Sequence, residues 1–134
     1  MTQPNPRTAE MEGMHESDEP AFAFEKLDVY RCGVEFVAAA ARIISELPAG
    51  YSSLADQLRR AALSVPVNIA EGVGRTSVAD RRRQYAIARG SAMECAAILD
   101  ACRVLRVANP SLLGDGRSLL MRIVQMLSKL CRST

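Results

Sequence analysis

At 134 residues the chain has the length of one domain able to bury a core, and with 49% hydrophobic residues, 4% aromatics and no tryptophan that core is aliphatic, a mixture that favours close-packed helices. No apolar run reaches the ~20 residues of a membrane span, and the first residues lack the layout of a secretion signal, so the expected setting is the cytoplasm with no membrane partner. Formal net charge is only +2, and Cys32, Cys95, Cys102 and Cys131 show no metal-binding spacing, so we expect reduced core thiols, no metal and no cofactor.

Residues 1–20 carry five carboxylates (Glu10, Glu12, Glu16, Asp18, Glu19) against Arg7, three prolines and no apolar period. We expect an acidic, disordered tail here and a helical domain over 21–134. The remainder of the chain is basic, and 15 of the 17 basic residues overall are arginines, which suit bidentate pairing with carboxylate or phosphate.

The first helix is expected over 24–47. Leu27, Tyr30, Val34, Val37, Ala41 and Ile44 form a heptad-like seam, with Phe36, Ala40, Ile43 and Leu47 as a second stripe beside it. Pro48-Ala49-Gly50 ends it. A second helix starts with Ser52 or Ser53 as N-cap and reaches about Gly74, kinked at Pro66 rather than broken, because its stripe stays in phase on both sides. That stripe (Leu54, Leu58, Ala61, Val65, Asn68, Gly72, Arg75) puts an amide and a guanidinium where a core is expected, with Glu71 one turn from each.

Ser77 and Asp80 open the third helix with a capping pattern, and it runs to about Val107. It bears two stripes: Tyr85, Ala88, Ala92, Cys95, Leu99 and Cys102, and then Ile87, Ser91, Glu94, Ile98, Ala101 and Leu105. Two stripes exceed what a lone small bundle covers, which predicts packing against another copy of the chain. Asn109-Pro110 caps the fourth helix, which Gly114 and Gly116 weaken, so it is expected to be secure only over 117–131, with Leu120, Ile123, Leu127 and Leu130 as its apolar face. Four helices with short connections predict an all-α, up-down-up-down four-helix bundle.

Three pieces of sequence resemble the bacterial four-helix-bundle proteins encoded in intervening sequences of 23S ribosomal RNA genes and their stand-alone relatives. They are Gln57-Leu58-Arg59-Arg60-Ala61-Ala62 running into Ser64-Val65-Pro66-Val67-Asn68-Ile69-Ala70-Glu71-Gly72, then Arg75, and Ala88-Arg89-Gly90-Ser91 followed by Glu94. The resemblance implies a left-handed bundle, a ring-like homopentamer and no enzymatic activity. The chain is also similar to the accessory proteins of diversity-generating retroelements, which share that assembly and bind nucleic acid through a basic surface, an analogy of fold that does not by itself transfer function. It departs from the pattern at Arg81-Arg82-Arg83 and at the glycine-bearing entry to the fourth helix.

For Asn68, Glu71, Arg75, Ser91 and Glu94 the structural reading is a polar network: Glu71 pairing with Arg75, Asn68 bonding backbone freed by Pro66, and Ser91 and Glu94 meeting a neighbouring helix or subunit. The rival reading makes Glu71 and Glu94 an acid/base pair, but no catalytic constellation accompanies them: the only histidine, His15, lies in the tail. Arg59, Arg60, Arg81, Arg82, Arg83 and Arg89 are the candidates for contact with RNA or DNA backbone, although three consecutive helical arginines point about 100° apart. The expected function is a non-enzymatic, pentameric bundle with nucleic-acid backbone affinity; the alternative is a protein-only scaffold or adaptor.

Overall fold

The computed structural model describes residues 21–133, so the expectation of a disordered tail over 1–20 lies outside the described residues. The described chain is all-α: a 3-10 turn over Ala23–Lys26, then α1 (Asp28–Glu46), α2 (Ser52–Gly74), α3 (Val78–Leu105) and α4 (Pro110–Arg132), with no strand among the described residues. Each helix packs on its neighbours in the chain, and α1 packs on α4 to close the circuit.

Specific contacts give the direction of each pairing. The middles of α2 and α3 meet where Ser64 contacts Ser91, and late α2 meets early α3 where Gly72 lies against Tyr85. Late α4 meets early α3 where the Arg89 Nε donates to the Ser128 Oγ at 2.8 Å. The end of α1 meets the start of α4, because the Asn109 backbone N–H donates to the Glu46 carboxylate at 2.8 Å.

Local chemistry explains most boundaries. The Ser77 Oγ accepts from the Asp80 N–H and the Asn109 Oδ1 from the Ser111 N–H, which are the two caps expected from sequence. The second helix departs from expectation: Ser52 is already helical and Tyr51 is the N-cap, without a side-chain bond. Chain 24–27 forms the 3-10 turn and its exit, and α1 starts only at Asp28. Arg106 ends α3 in the left-handed conformation, φ 56°, which lets its N–H reach back to the Cys102 and Arg103 carbonyls.

Helix α4 corrects a second expectation: it is continuous from Pro110 across both glycines. Gly116 is there for space. A Cβ on it would lie 3.1 Å from Leu99 Cδ1 and 3.5 Å from Ile43 and Phe36, so its cost in helix propensity is offset by close helix approach. Helix α2 likewise runs unbroken through Pro66, which packs on Gly33 of α1.

The core corrects a third. On α1 the buried face is Val29, Cys32, Phe36, Ala39, Ala40 and Ile43, which takes in Phe36, Ala40 and Ile43 of the stripe read as secondary and leaves its Leu47 half-buried. The seam read as primary lies at the edge of the core: Leu27, Tyr30 and Ile44 are half-buried and pack against it, Val37 is half-buried, and Val34 and Ala41 are exposed. On α3 all six members of the first stripe are buried, whereas Ile87, Glu94 and Leu105 of the second are exposed. Arg75 is exposed and Asn68 half-buried, so neither occupies the core that the α2 stripe had suggested.

Candidate interaction surfaces and the polar seam

A line of polar groups runs between α2 and α3. The Ser91 Oγ donates to the Ser64 Oγ at 2.8 Å, and the Asn68 Nδ2 donates to the Ser64 Oγ at 2.9 Å and to the Ser64 carbonyl at 2.8 Å. The line continues through Gln84, a residue only 7% exposed. With its amide oriented to satisfy its neighbours, the Gln84 nitrogen donates to Asn68 Oδ1 at 2.8 Å and Glu71 Oε2 at 3.2 Å, and its oxygen accepts from Arg75 Nη2 at 3.2 Å.

Two expected details are therefore different. Glu71 and Arg75 form no ion pair among the described residues; both are held through Gln84. Asn68 bonds the carbonyl of Ser64, not that of Ala62, which is the one that loses its helical donor at Pro66. Ser91 meets the neighbouring helix, while Glu94 is exposed and stands outside the seam. Gln84 was missed because a lone glutamine looks like surface. Its signal was its place seven residues before Ser91, on the same side of the helix.

The candidate arginines do not share one patch. Arg59 is paired with Asp56 at 2.7 Å, and Arg60 is exposed beside it. Arg60 and Arg75 lie about 22 Å apart along the helix axis, so Arg59 and Arg60 belong to the opposite end of α2 from Arg75. Arg89 is half-buried on Ser128, whose own hydroxyl donates to the Val124 carbonyl. Arg83 is exposed and, with Arg75, Asp80 and Gln84, lines a polar recess of about 120 Å3. Arg81 and Arg82 are half-buried, and the Arg82 Nε is buried with no partner among the described residues.

Apolar surface is left uncovered on two sides. Val34, Leu63 and Val67, exposed by 46%, 54% and 44%, line a groove of about 390 Å3 between α1 and α2, with Glu71 at its rim. Met93 and Met121, each 50% exposed, flank a smaller groove between α3 and α4. Burial raises the thiol pKa of Cys95 to about 12, against the pull of its own backbone contact, and burial also pushes Cys32 and Cys102 up. These are packing thiols, not nucleophiles. No group of acidic, histidine and cysteine side chains suited to a metal is present among the described residues, and no described helix is long and apolar enough to cross a membrane.

Comparison with known proteins places the chain beside a family and solved structures. The model of the family described as 23S rRNA-intervening sequence protein matches residues 25–129. Among solved structures, a protein with unknown function from the S23 ribosomal protein family of Bacteroides thetaiotaomicron VPI-5482 superposes with a TM-score of 0.72 at 19% identity, covering 78% of this chain and 99% of its own. That likeness shows the fold alone. A search among curated proteins finds no match.

Proposed function

Because the chain belongs to the 23S rRNA-intervening sequence protein family, we propose that it is a non-enzymatic, cytoplasmic protein that assembles as a homopentamer and holds RNA or DNA backbone through arginines. Each protomer is a left-handed up-down-up-down bundle whose α2 bends at Pro66. The closed circuit of helix contacts and the antiparallel pairings support that topology.

One observation carries the assembly reading. The middle of the α1 seam, Tyr30, Val34 and Val37, joins Leu63 and Val67 of α2 in an open groove, although Leu27, Tyr30 and Ile44 also pack against the edge of the core. Apolar surface at a regular period is costly to leave in water, and a second copy of the chain is the simplest cover. Light scattering coupled to gel filtration tests it: a pentamer mass is expected, and a monomer at micromolar concentration overturns it.

The nucleic-acid reading draws on Arg60, Arg81, Arg82 and Arg83, which, with other arginines, have no ion pair to a carboxylate among the described residues. Affinity is expected to fall steeply with salt, as counterion release requires. No shift of a labelled oligonucleotide at low salt and high protein excess overturns it. The protein-only scaffold is favoured by a different observation: Arg59 is already matched by Asp56 and Arg89 by Ser128. A pull-down returning a specific protein and no nucleic acid decides for that reading.

A further inference from the structure

The four helices stand at the corners of a square. Helix α1 touches α2 and α4, and α3 touches the same two, while no contact among the described residues joins α1 to α3 or α2 to α4. The groove between α1 and α2 and the groove between α3 and α4 therefore lie on opposite sides of the protomer. Both are apolar, but they differ in relief and in charge.

The α1–α2 side is raised. Val34, Leu63 and Val67 are branched side chains half open to water, and Glu71 is the charged group at their rim. Leu63 and Val67 are four residues apart, so they form one ridge along α2. The α3–α4 side is low. Met93 and Met121 flank a groove of about 250 Å3 whose charged lining group is Arg117, and it runs on past Ala96 to Gly114. In that extension Asp100 and Arg103 offset each other at 2.9 Å. Gly90, one turn before Met93, and Gly114 have no described atom within 4 Å of the place a Cβ would take. A glycine inside a helix costs backbone entropy, and at these two, unlike Gly72 and Gly116, no close approach within the protomer offsets it.

We propose that the α1–α2 side of one copy seats on the α3–α4 side of the next, with the Leu63–Val67 ridge in the groove between Met93 and Met121. This rests on the assembly reading above and gives it two unlike faces. Three features select that pairing over each side meeting itself. Ridge meets groove, where self-pairing sets ridge against ridge. Methionines, unbranched and flexible, mould to branched side chains. The pairing brings a carboxylate rim to a guanidinium-lined groove, and neither Glu71 nor Arg117 has an ion pair among the described residues. Unlike patches on opposite sides of a protomer make head-to-tail contacts, which close into a ring when the rotation between copies closes. Such a ring admits an odd number of copies, whereas self-pairing adds them two by two.

Two variants of the full chain and their mixture test the pairing. One carries Val34→Lys with Leu63→Lys, the other Met93→Lys with Met121→Lys. All four residues are about half exposed, so the protomer fold is expected to hold, which thermal unfolding checks. Should either double variant fail to fold, Leu63→Lys and Met121→Lys alone make the same comparison. Each variant is expected to be monomeric by light scattering, because each keeps one half of the contact. Mixed in equal amounts at high concentration, they are expected to double in mass, since each supplies the side the other lacks. A variant that dimerises by itself overturns the pairing, because its intact side is then meeting its own copy. A mixture that stays monomeric overturns it too, as does a variant that keeps the assembled mass of the natural chain. A natural chain that is itself monomeric overturns the assembly reading and the pairing with it.

Discussion

A Cβ placed on Gly72 would lie 2.6 Å from Cε1 and 2.9 Å from Cδ1 of Tyr85, closer than any carbon pair tolerates. The Tyr85 ring is buried, so it cannot swing away, and α2 and α3 pass each other at this point because Gly72 has no side chain. The same approach brings Asn68, Glu71 and Arg75 within reach of Gln84. Gly72 is thus a spacing residue for the polar seam as well as for the core.

Gly72→Ala is expected to destabilise the protein by about 1–3 kcal/mol, the usual cost of overpacking. Gly74→Ala, two residues on with nothing within 4 Å of the new Cβ, is expected to be neutral or slightly stabilising. Urea unfolding of the two variants makes the comparison, and equal effects would show that the Tyr85 contact does not set the helix spacing.

Gln84→Leu removes the amide that joins three partners across the seam. Leaving the half-buried Asn68 Oδ1 without its donor is expected to cost about 1–3 kcal/mol. Because the groups act together, Gln84→Leu and Asn68→Ala are expected to be non-additive in a double-mutant cycle. Additive losses would mean that the two side chains are not coupled.

Leu63→Lys and Val34→Lys place charge in the groove between α1 and α2 at positions already half open to solvent. Protomer stability is expected to change by less than about 0.5 kcal/mol, as at other surface sites, while the assembled mass falls. Light scattering and thermal unfolding read the two effects separately. An unchanged assembled mass would show that copies meet elsewhere.

Arg82→Gln combined with Arg83→Gln is expected to weaken oligonucleotide binding and to flatten its salt dependence, with a slope lower by about one for each phosphate no longer neutralised. Arg59→Gln, which only releases Asp56, is expected to leave both unchanged. A larger effect from Arg59 would move the binding surface to the other end of the bundle.

Alkaline stability follows from the buried thiols. Cys95 titrates near 9 when unfolded and is pushed up to about 12 in the fold, mainly by desolvation; Cys32, Cys102 and the Tyr85 phenol are raised from their ordinary values for the same leading reason. Above pH 9 the unfolded chain releases these thiol protons while the folded chain keeps them, so stability is complete below pH 9 and declines as pH climbs toward 12. Urea midpoints measured between pH 7 and 11 check the sign. In the folded protein at pH 8, a thiol reagent is expected to modify Cys131 first, since it is the one cysteine not fully buried.

Helix ends were legible in the residues because a cap is a local device: Ser77 and Asn109 bond amides within three positions of themselves, whatever surrounds them. The buried stripe of α3 was legible for a similar reason, since Tyr85 and the five small or aliphatic residues that follow it recur at a period only one face of a helix can hold. Periodicity fixes the angle of a side chain about its own axis and is silent on which angle meets a neighbour. So α1, with two apolar stripes, could be read with either one inward, and only the packing of α2 and α4 chose Phe36, Ala40 and Ile43. The burial of Gln84, beyond its shared helix side with Ser91, and the role of Gly116 depend on packing for the same cause. One is buried because partners on another helix satisfy its amide, and the other is helical because Leu99, Ile43 and Phe36 need the space a side chain would take.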